Sequence, residues 1–265
     1  MRNGFFCIAG TMLLLAGCAT SANKRNTSPE TSGTVQQAPP NEQTAAVSRF
    51  EKAAELLHSG KVAEGRAMLR EIVSAMPPDW RAINEGADSV AIAYWDQQEF
   101  IECSPGDAKR YKKKILWTLP SYTQAWYLLA FLAIESKDAA EADADIDHAL
   151  AMEPDRAMLL NEKATIVQQS PQRLADAVAI NRKAVDSQHC TSAANRKRDL
   201  SRAWRSMGVA LIDLRKWDEA DLALEESLKV DPGNPNTIRE LMYLEQARGK
   251  KPPSNTSTVI KRVTQ

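Results

Sequence analysis

The chain has 265 residues, with 34 Lys and Arg balanced by 34 Asp and Glu, and a mean hydropathy of −0.41. This balance gives no electrostatic case for binding nucleic acid. Past the first twenty residues no apolar run is long enough for a membrane helix. Glycine is scarce and β-branched alternation is rare, so the composition favours helix.

The first element in the chain reads as an export signal. Arg2 precedes an apolar run from Phe5 to Leu15, and small residues and a cysteine follow. The run is too short to stay in a bilayer as a spanning helix. Its end, Leu15-Ala16-Gly17-Cys18, resembles the bacterial lipobox. That resemblance implies removal of residues 1–17, a diacylglycerol on the Cys18 thiol, and acylation (palmitate or a similar chain) of the new amino terminus. Several acyl chains anchor stably where one binds only marginally. Ala19 stands where an aspartate would favour the inner membrane, so the resemblance implies an outer-membrane anchor facing the periplasm. Residues 18–45 are dominated by Ser, Thr, Asn, Gln and Pro without an apolar period. Such a segment cannot bury enough surface to offset the entropy of ordering, and it reads as a disordered tether. The folded body is expected over 46–248. Residues 249–265 read as a second disordered tail, opened by Lys250, Lys251, Pro252 and Pro253.

Within the body the spacing repeats. Pro77, Pro120, Pro154 and Pro232 each end a helix-like stretch, and Pro120 and Pro154 stand 34 residues apart. Twelve residues before each proline lies a small residue: Gly65, Ala108, Ala142 and Ala220. Trp126 and Trp204 occupy equivalent positions before the last two, followed at equal offsets by Ala130 and Gly208. The physical reading is a series of antiparallel helix pairs. Small residues mark the close approaches, bulky ones fill the gaps, and proline stops each second helix.

This register resembles the tetratricopeptide repeat, a 34-residue helical hairpin. Ser201 to Asn234 matches best, through Trp204, Met207, Gly208, Leu211, Ala220, Leu224 and Pro232, with Ser227 for the usual alanine. Thr123 to Arg156 follows, through Trp126, Leu129, Ala130, Ala142, Ile146, Ala149 and Pro154. Ala157 to about Cys190 is a degenerate copy with Leu160, Ala164, Ala177 and Ala184. Upstream, Arg49 to Pro77 keeps Ala53, Leu56, Leu69 and Ile72. The unit ending at Pro120 keeps Ile92, Trp95 and Ala108 but departs at Asp96 and Lys112. Asn236 to Ala247 reads as a capping helix with Ile238, Leu241 and Leu244 on one face. The expected fold is all-α: a right-handed superhelical solenoid of about five tetratricopeptide-like hairpins plus the C-terminal cap.

No residue pattern points to an enzyme or to a cofactor. His58, His148 and His189 lack partners at metal-ligand spacing, and there is no Gly-rich phosphate loop. Asp143 and Asp147 share a helix face with Asp145 nearby. Because Ala142, Ile146 and Ala149 fill the buried stripe, the acids are expected in water. Cys103 and Cys190 remain for a disulfide in an oxidising compartment. Their Cα atoms would have to come within about 7 Å. Across a whole unit this needs a fold-back of Cys190–Leu200, so the pairing stays open at this level.

The tetratricopeptide resemblance implies a concave groove, lined by the first helix of each unit, that takes an extended peptide or a helix. Its positions map onto Phe50, Tyr127, Phe131, Asn161, Thr165, Arg202 and Arg205. Aromatics there offer contact area at small entropy cost, and the arginines could hold a carboxylate. The expected function is a lipid-anchored adaptor that binds a protein partner and supports assembly of an envelope machine such as a pilus or secretion system. The alternative is a periplasmic small-ligand or glycan-binding protein using the same groove.

Overall fold

The computed structural model describes residues 42–249, so Cys18, the export signal, most of the tether and all but the first residue of the C-terminal tail lie outside the described residues. The body begins with α1 (Glu42–His58), four residues earlier than the expected boundary at 46, and α2 (Val62–Ser74). Three more hairpins follow: α4 (Ser121–Glu135) with α5 (Ala139–Met152), α6 (Ala157–Val167) with α7 (Leu174–Val185), and α8 (Ala193–Asp213) with α9 (Trp217–Val230). The final helix, α10 (Pro235–Ala247), packs on α8 and α9. No helix among the described residues is long and apolar enough to cross a membrane.

Three of the four hairpin turns share one geometry, while that between α6 and α7 passes through a 3-10 turn at Pro171–Arg173. Gly60, Lys137 and Arg215 sit in the left-handed region, with φ of 82°, 62° and 61°. In each turn the next residue's N–H returns to a carbonyl five residues back: Lys61 to Leu56, Asp138 to Ala133, and Lys216 to Leu211. This closes the first helix in a Schellman motif. Side chains start the following helices: Asp138 accepts from the Glu141 N–H, Ser192 from Asn195, and Asn234 from Asn236 and Thr237.

The core runs through the stack as a chain of local clusters. Phe50, Ala53, Leu57, Leu69 and Ile72 of the first hairpin meet Tyr122, Ala125 and Leu129 of α4. Ala130, Ala142 and Ile146 meet Leu159 and Ile166 of α6. Leu160 meets Ala184 and Ala203, and Met207, Leu211, Ala220 and Leu224 meet Ile238, Leu241 and Leu244 of α10. Each hairpin therefore buries its apolar face against its neighbours, as stacked repeats must.

The segment between the first and second of these hairpins is not the fifth hairpin expected from Ile92, Trp95, Ala108 and Pro120. It forms β1 (Ile83–Glu85), β2 (Ser89–Ala93), α3 (Gln97–Tyr111) and β3 (Lys114–Thr118). Strand β1 pairs antiparallel with β2, and β3 pairs parallel with β2, in the order β1-β2-β3. The 34-residue match was coincidental. Ile92 lies in a five-residue strand whose inner side chains alternate in burial, which a helix period cannot satisfy. Asp96, the mismatch with the repeat, is the N-cap of α3 and accepts from the Glu99 N–H at 2.8 Å. Val90, Ile92, Tyr94 and Cys103 form a cluster with Phe100, Ile115 and Trp117, so this insert has its own core.

Candidate functional site: the concave face and its strap

Of the aspartates on α5, Asp147 is exposed and Asp143 half-buried, but Asp145 is buried. Asp145 is 3% exposed and receives two hydrogen bonds of 3.0 Å from Arg70 of α2, whose guanidinium also binds Glu141 beside Arg66. Lys163 of α6 bridges Asp143 at 2.8 Å and Asp147 at 2.7 Å, and Arg173 holds Asp143 at 2.9 Å. The acids therefore cross-link neighbouring hairpins through cations, and Asp145 departs from its expected place in water while Asp147 keeps it. No metal-holding group of three or more His, Cys, Asp or Glu occurs among the described residues. His148 is exposed and stacks on Trp126 with centroids 4.2 Å apart.

Two of the groove residues expected from sequence are interior. Phe50 is 7% exposed and belongs to the core between α1, α2 and α4. Asn161 is fully buried, and its Nδ2 donates to the Asp199 carbonyl at 2.9 Å, tying α6 to α8. Neither presents itself to a ligand, because the first helices approach each other closely at these positions. Tyr127, Phe131, Thr165, Arg202 and Arg205 remain partly exposed.

These five occupy three helices. Arg202 of α8 makes a two-pronged ion pair with Glu162 of α6, at 2.5 and 2.9 Å. Burial works against the Arg202 charge, but Glu162 outweighs it and holds the guanidinium firmly protonated. Arg198 pairs with Asp199 at 3.0 Å, and burial raises the Asp199 carboxyl above its usual range. Thr165 Oγ1 donates to the Asn161 carbonyl at 2.9 Å. Arg205 has neither a hydrogen bond nor an ion pair among the described residues, and burial, with the charge of Arg202 beside it, lowers its pKa. Burial also pushes the Tyr127 phenol up, with Glu162 adding to it.

The insert reaches into this face. Trp95 packs edge-on against Tyr127 with centroids 5.7 Å apart. Its indole N–H donates to Glu153 at 3.1 Å, where α5 turns into α6. Arg156 stacks over the Trp95 ring at 4.8 Å and binds Glu153 at 2.5 Å and Glu99 of α3 at 2.7 Å. Arg156, Glu153 and Glu99 are 4%, 4% and 1% exposed. Helix α3 also grips the start of α8. Glu102 accepts from the Ala193 N–H at 2.6 Å, Asp96 accepts from the Asn195 amide at 3.2 Å, and His189 Nε2 lies 3.8 Å from Glu99. Cys103 and Cys190 are joined by a disulfide, with Cα atoms 5.9 Å apart. The insert supplies what the repeat register lacked: it bridges past one hairpin, so that Cys103 and Cys190 meet. It is thus a strap running along the rim where α4, α6 and α8 begin. Trp95, Glu99 and Arg156 carry no sequence signal for this role. Trp95 reads instead as a repeat tryptophan, and the contacts join residues about sixty positions apart.

Burial opposes ionisation of Glu99, but the His189 imidazole and the Arg156 guanidinium outweigh it and hold the carboxyl below its ordinary value. A depressed acid contributes stability that is present above the unfolded carboxylate pKa, about 4.3. That contribution is lost as pH falls through the folded value. Strap contacts should therefore loosen on acidification below about pH 4. Tryptophan fluorescence of the native chain should change there, and Glu99→Gln should flatten that transition.

No protein-family model matches the chain, and no curated protein is significantly similar to it. Solved structures do match. PilW, described as a type IV pilus biogenesis factor, aligns over 78% of this chain and 71% of its own, with a TM-score of 0.53 at 15% identity. PilF of Pseudomonas aeruginosa aligns over 83% and 72%, with a TM-score of 0.52 at 16% identity. MamA RS-1 aligns over 84% and 92%, with a TM-score of 0.52 at 12% identity. The fold is the tetratricopeptide-repeat solenoid. In tetratricopeptide terms, the strapped rim lies at the start of the first helices of consecutive repeats, and Arg202 and Arg205, farther along α8, have no hydrogen bond or ion pair with the insert among the described residues.

Proposed function

We propose that this chain is a lipid-anchored, periplasm-facing tetratricopeptide scaffold that binds a segment of a protein partner on its concave face. The observation carrying the binding reading is Arg205. A partly buried guanidinium with no hydrogen bond or ion pair among the described residues has lost water, and the charges of Glu240 and Asp231 do not make up for that loss. A carbonyl or carboxylate of a docked chain supplies a partner, and charge-assisted hydrogen bonds are the strong ones. Thr165 and the exposed edge of Tyr127 extend the same surface. The anchoring reading rests on Leu15-Ala16-Gly17-Cys18, and residues 19–41 would link the anchor to the array. Confinement to one membrane raises the local concentration of the face, so modest affinity suffices. A role in assembling a pilus or a related envelope machine is supported by the architecture shared with PilW and PilF.

Two measurements test this. In the full chain, Arg205→Glu should reduce partner recovery after cross-linking by roughly tenfold or more, with an unchanged melting curve. Undiminished recovery would sink the assignment of the face. Cys18→Ala should move the protein from the membrane to the soluble fraction without altering its stability. If the variant stays with the membrane, lipid on Cys18 is not the anchor.

A further inference from the structure

We propose that Cys103–Cys190 is a thiol–disulfide exchange site whose reduction releases the strap and uncovers the Tyr127 end of the concave face. Three observations carry this. Cys190 is exposed on the loop between α7 and α8, whereas Cys103, on the buried face of α3, is 3% exposed. The strap has its own hydrophobic cluster, while its Trp95 packs against the cluster of Ala130, Ala142 and Ile146, so it can move as a unit once Trp95 leaves. Its remaining hold on the array is noncovalent: Trp95 against Tyr127, Arg156 and the Glu153 carboxylate, Glu99 with Arg156 and His189, Glu102 with the Ala193 N–H, and Asp96 with Asn195. The exposed polar contacts contribute little net against water, and the attraction in the buried Glu99–Arg156 pair largely offsets what burial costs its two charges. The disulfide adds a covalent tie across 87 positions, which shortens the loop between the docking groups and raises their effective concentration.

The chemistry balances with a dithiol as co-reactant. Its thiolate attacks the Cys190 sulfur, and a bond forms between the two. The Cys103–Cys190 bond breaks, and its electron pair leaves on the Cys103 sulfur, which takes a proton from water. The second thiolate of the dithiol then attacks the mixed disulfide and frees Cys190. The protein gains two electrons and two protons, and the dithiol becomes a disulfide. The exposed sulfur is thus the one attacked, and the buried one is the leaving group. Whether the opened face binds a partner better rests on the reading of the groove above; the exchange itself does not.

Hydrogen exchange on the full chain tests the proposal, comparing the oxidised protein, the same protein in excess dithiothreitol, and Cys103→Ala/Cys190→Ala. In the last two, protection of Gln97–Tyr111 and Ser121–Phe131 should fall at least tenfold, while that of residues 201–230 stays as it was. Reoxidation of the reduced wild type should restore it. Unchanged protection over α3 would overturn the proposal. So would loss of protection across 201–230 as well, because the bond would then be a staple of the whole body. A brief exposure to glutathione followed by alkylation should place the mixed disulfide on Cys190. Finding it on Cys103 would overturn the direction of attack.

Discussion

Arg156→Met is expected to lower stability by about 3–5 kcal/mol, the range for removing one partner of a buried ion pair. Arg156 is 4% exposed and carries two buried carboxylates, Glu99 from the strap and Glu153 from the array. Without the guanidinium both negative charges remain in a poorly solvated site, with the Trp95 N–H on Glu153 and His189 near Glu99. Methionine keeps much of the side-chain volume, so the loss is electrostatic rather than a cavity. Two companions separate the contributions. Arg156→Lys should fall in between, because an ammonium cannot span both carboxylates with a planar fork. Arg156→Met with Glu99→Leu should be less damaging than Arg156→Met alone, since replacing charge with apolar volume removes the uncompensated partner. Urea unfolding followed by tryptophan fluorescence reads all three. A double variant as unstable as the single one would mean that Glu99 is not the stranded charge. Because stacked repeats need not unfold together, the loss should appear first in the signal from Trp95 and its neighbours.

The second large effect concerns the last hairpin, where Gly208 faces Leu224. A Cβ at position 208 would lie 2.7 Å from Leu224 Cγ and 2.8 Å from its Cδ2, closer than carbon atoms can stand. Leu224 is fully buried among Met207, Leu211, Ala220 and Leu241, so it has little room to give way. Gly208→Ala should therefore cost about 1–3 kcal/mol by overpacking, although alanine is the better helix former. Leu224→Ala should cost about 2–5 kcal/mol, through lost burial and the cavity it leaves. Together they should cost less than the sum of the two, since the new methyl group occupies part of the vacated space. Thermal denaturation of the four proteins in the cycle measures this coupling. Strict additivity would show that the two positions do not share one contact. The same close approach recurs at Gly65, whose added Cβ would stand 2.7 Å from Leu57.

The repeat arithmetic reads these close approaches directly. Gly65, Ala142, Gly208 and Ala220 were legible as contact points because a helix pair imposes its spacing on the chain through local geometry alone. The same register placed α4, α5, α9 and α10 within a few residues of their observed bounds, whereas α8 begins at Ala193, inside the segment read as a fold-back before Ser201; the solenoid followed, since isolated hairpins cannot bury their apolar faces. Where the register was weakest, at Asp96 and Lys112, the chain does something else. Asp96 caps α3, and Lys112 ends it in the left-handed region with φ of 52°. Both mismatches were signs of a β-β-α-β insert, but the coincident Ile92, Trp95 and Pro120 masked them. Groove positions carried over by register went wrong at Phe50 and Asn161. Spacing fixes which helix face a residue occupies, not how tightly the next helix covers it. The strap itself could not be read at all. Arg156 meeting Glu99, Trp95 meeting Tyr127 and Cys103 meeting Cys190 join distant segments, and no local period records such pairings. By itself, then, the sequence determined the helical hairpins and their order, because those follow from short-range periodicity and sterics. Only the tertiary structure decided which charges are buried, which part of the concave face is open, and what is strapped across it, because these depend on how separate elements share one low-dielectric interior.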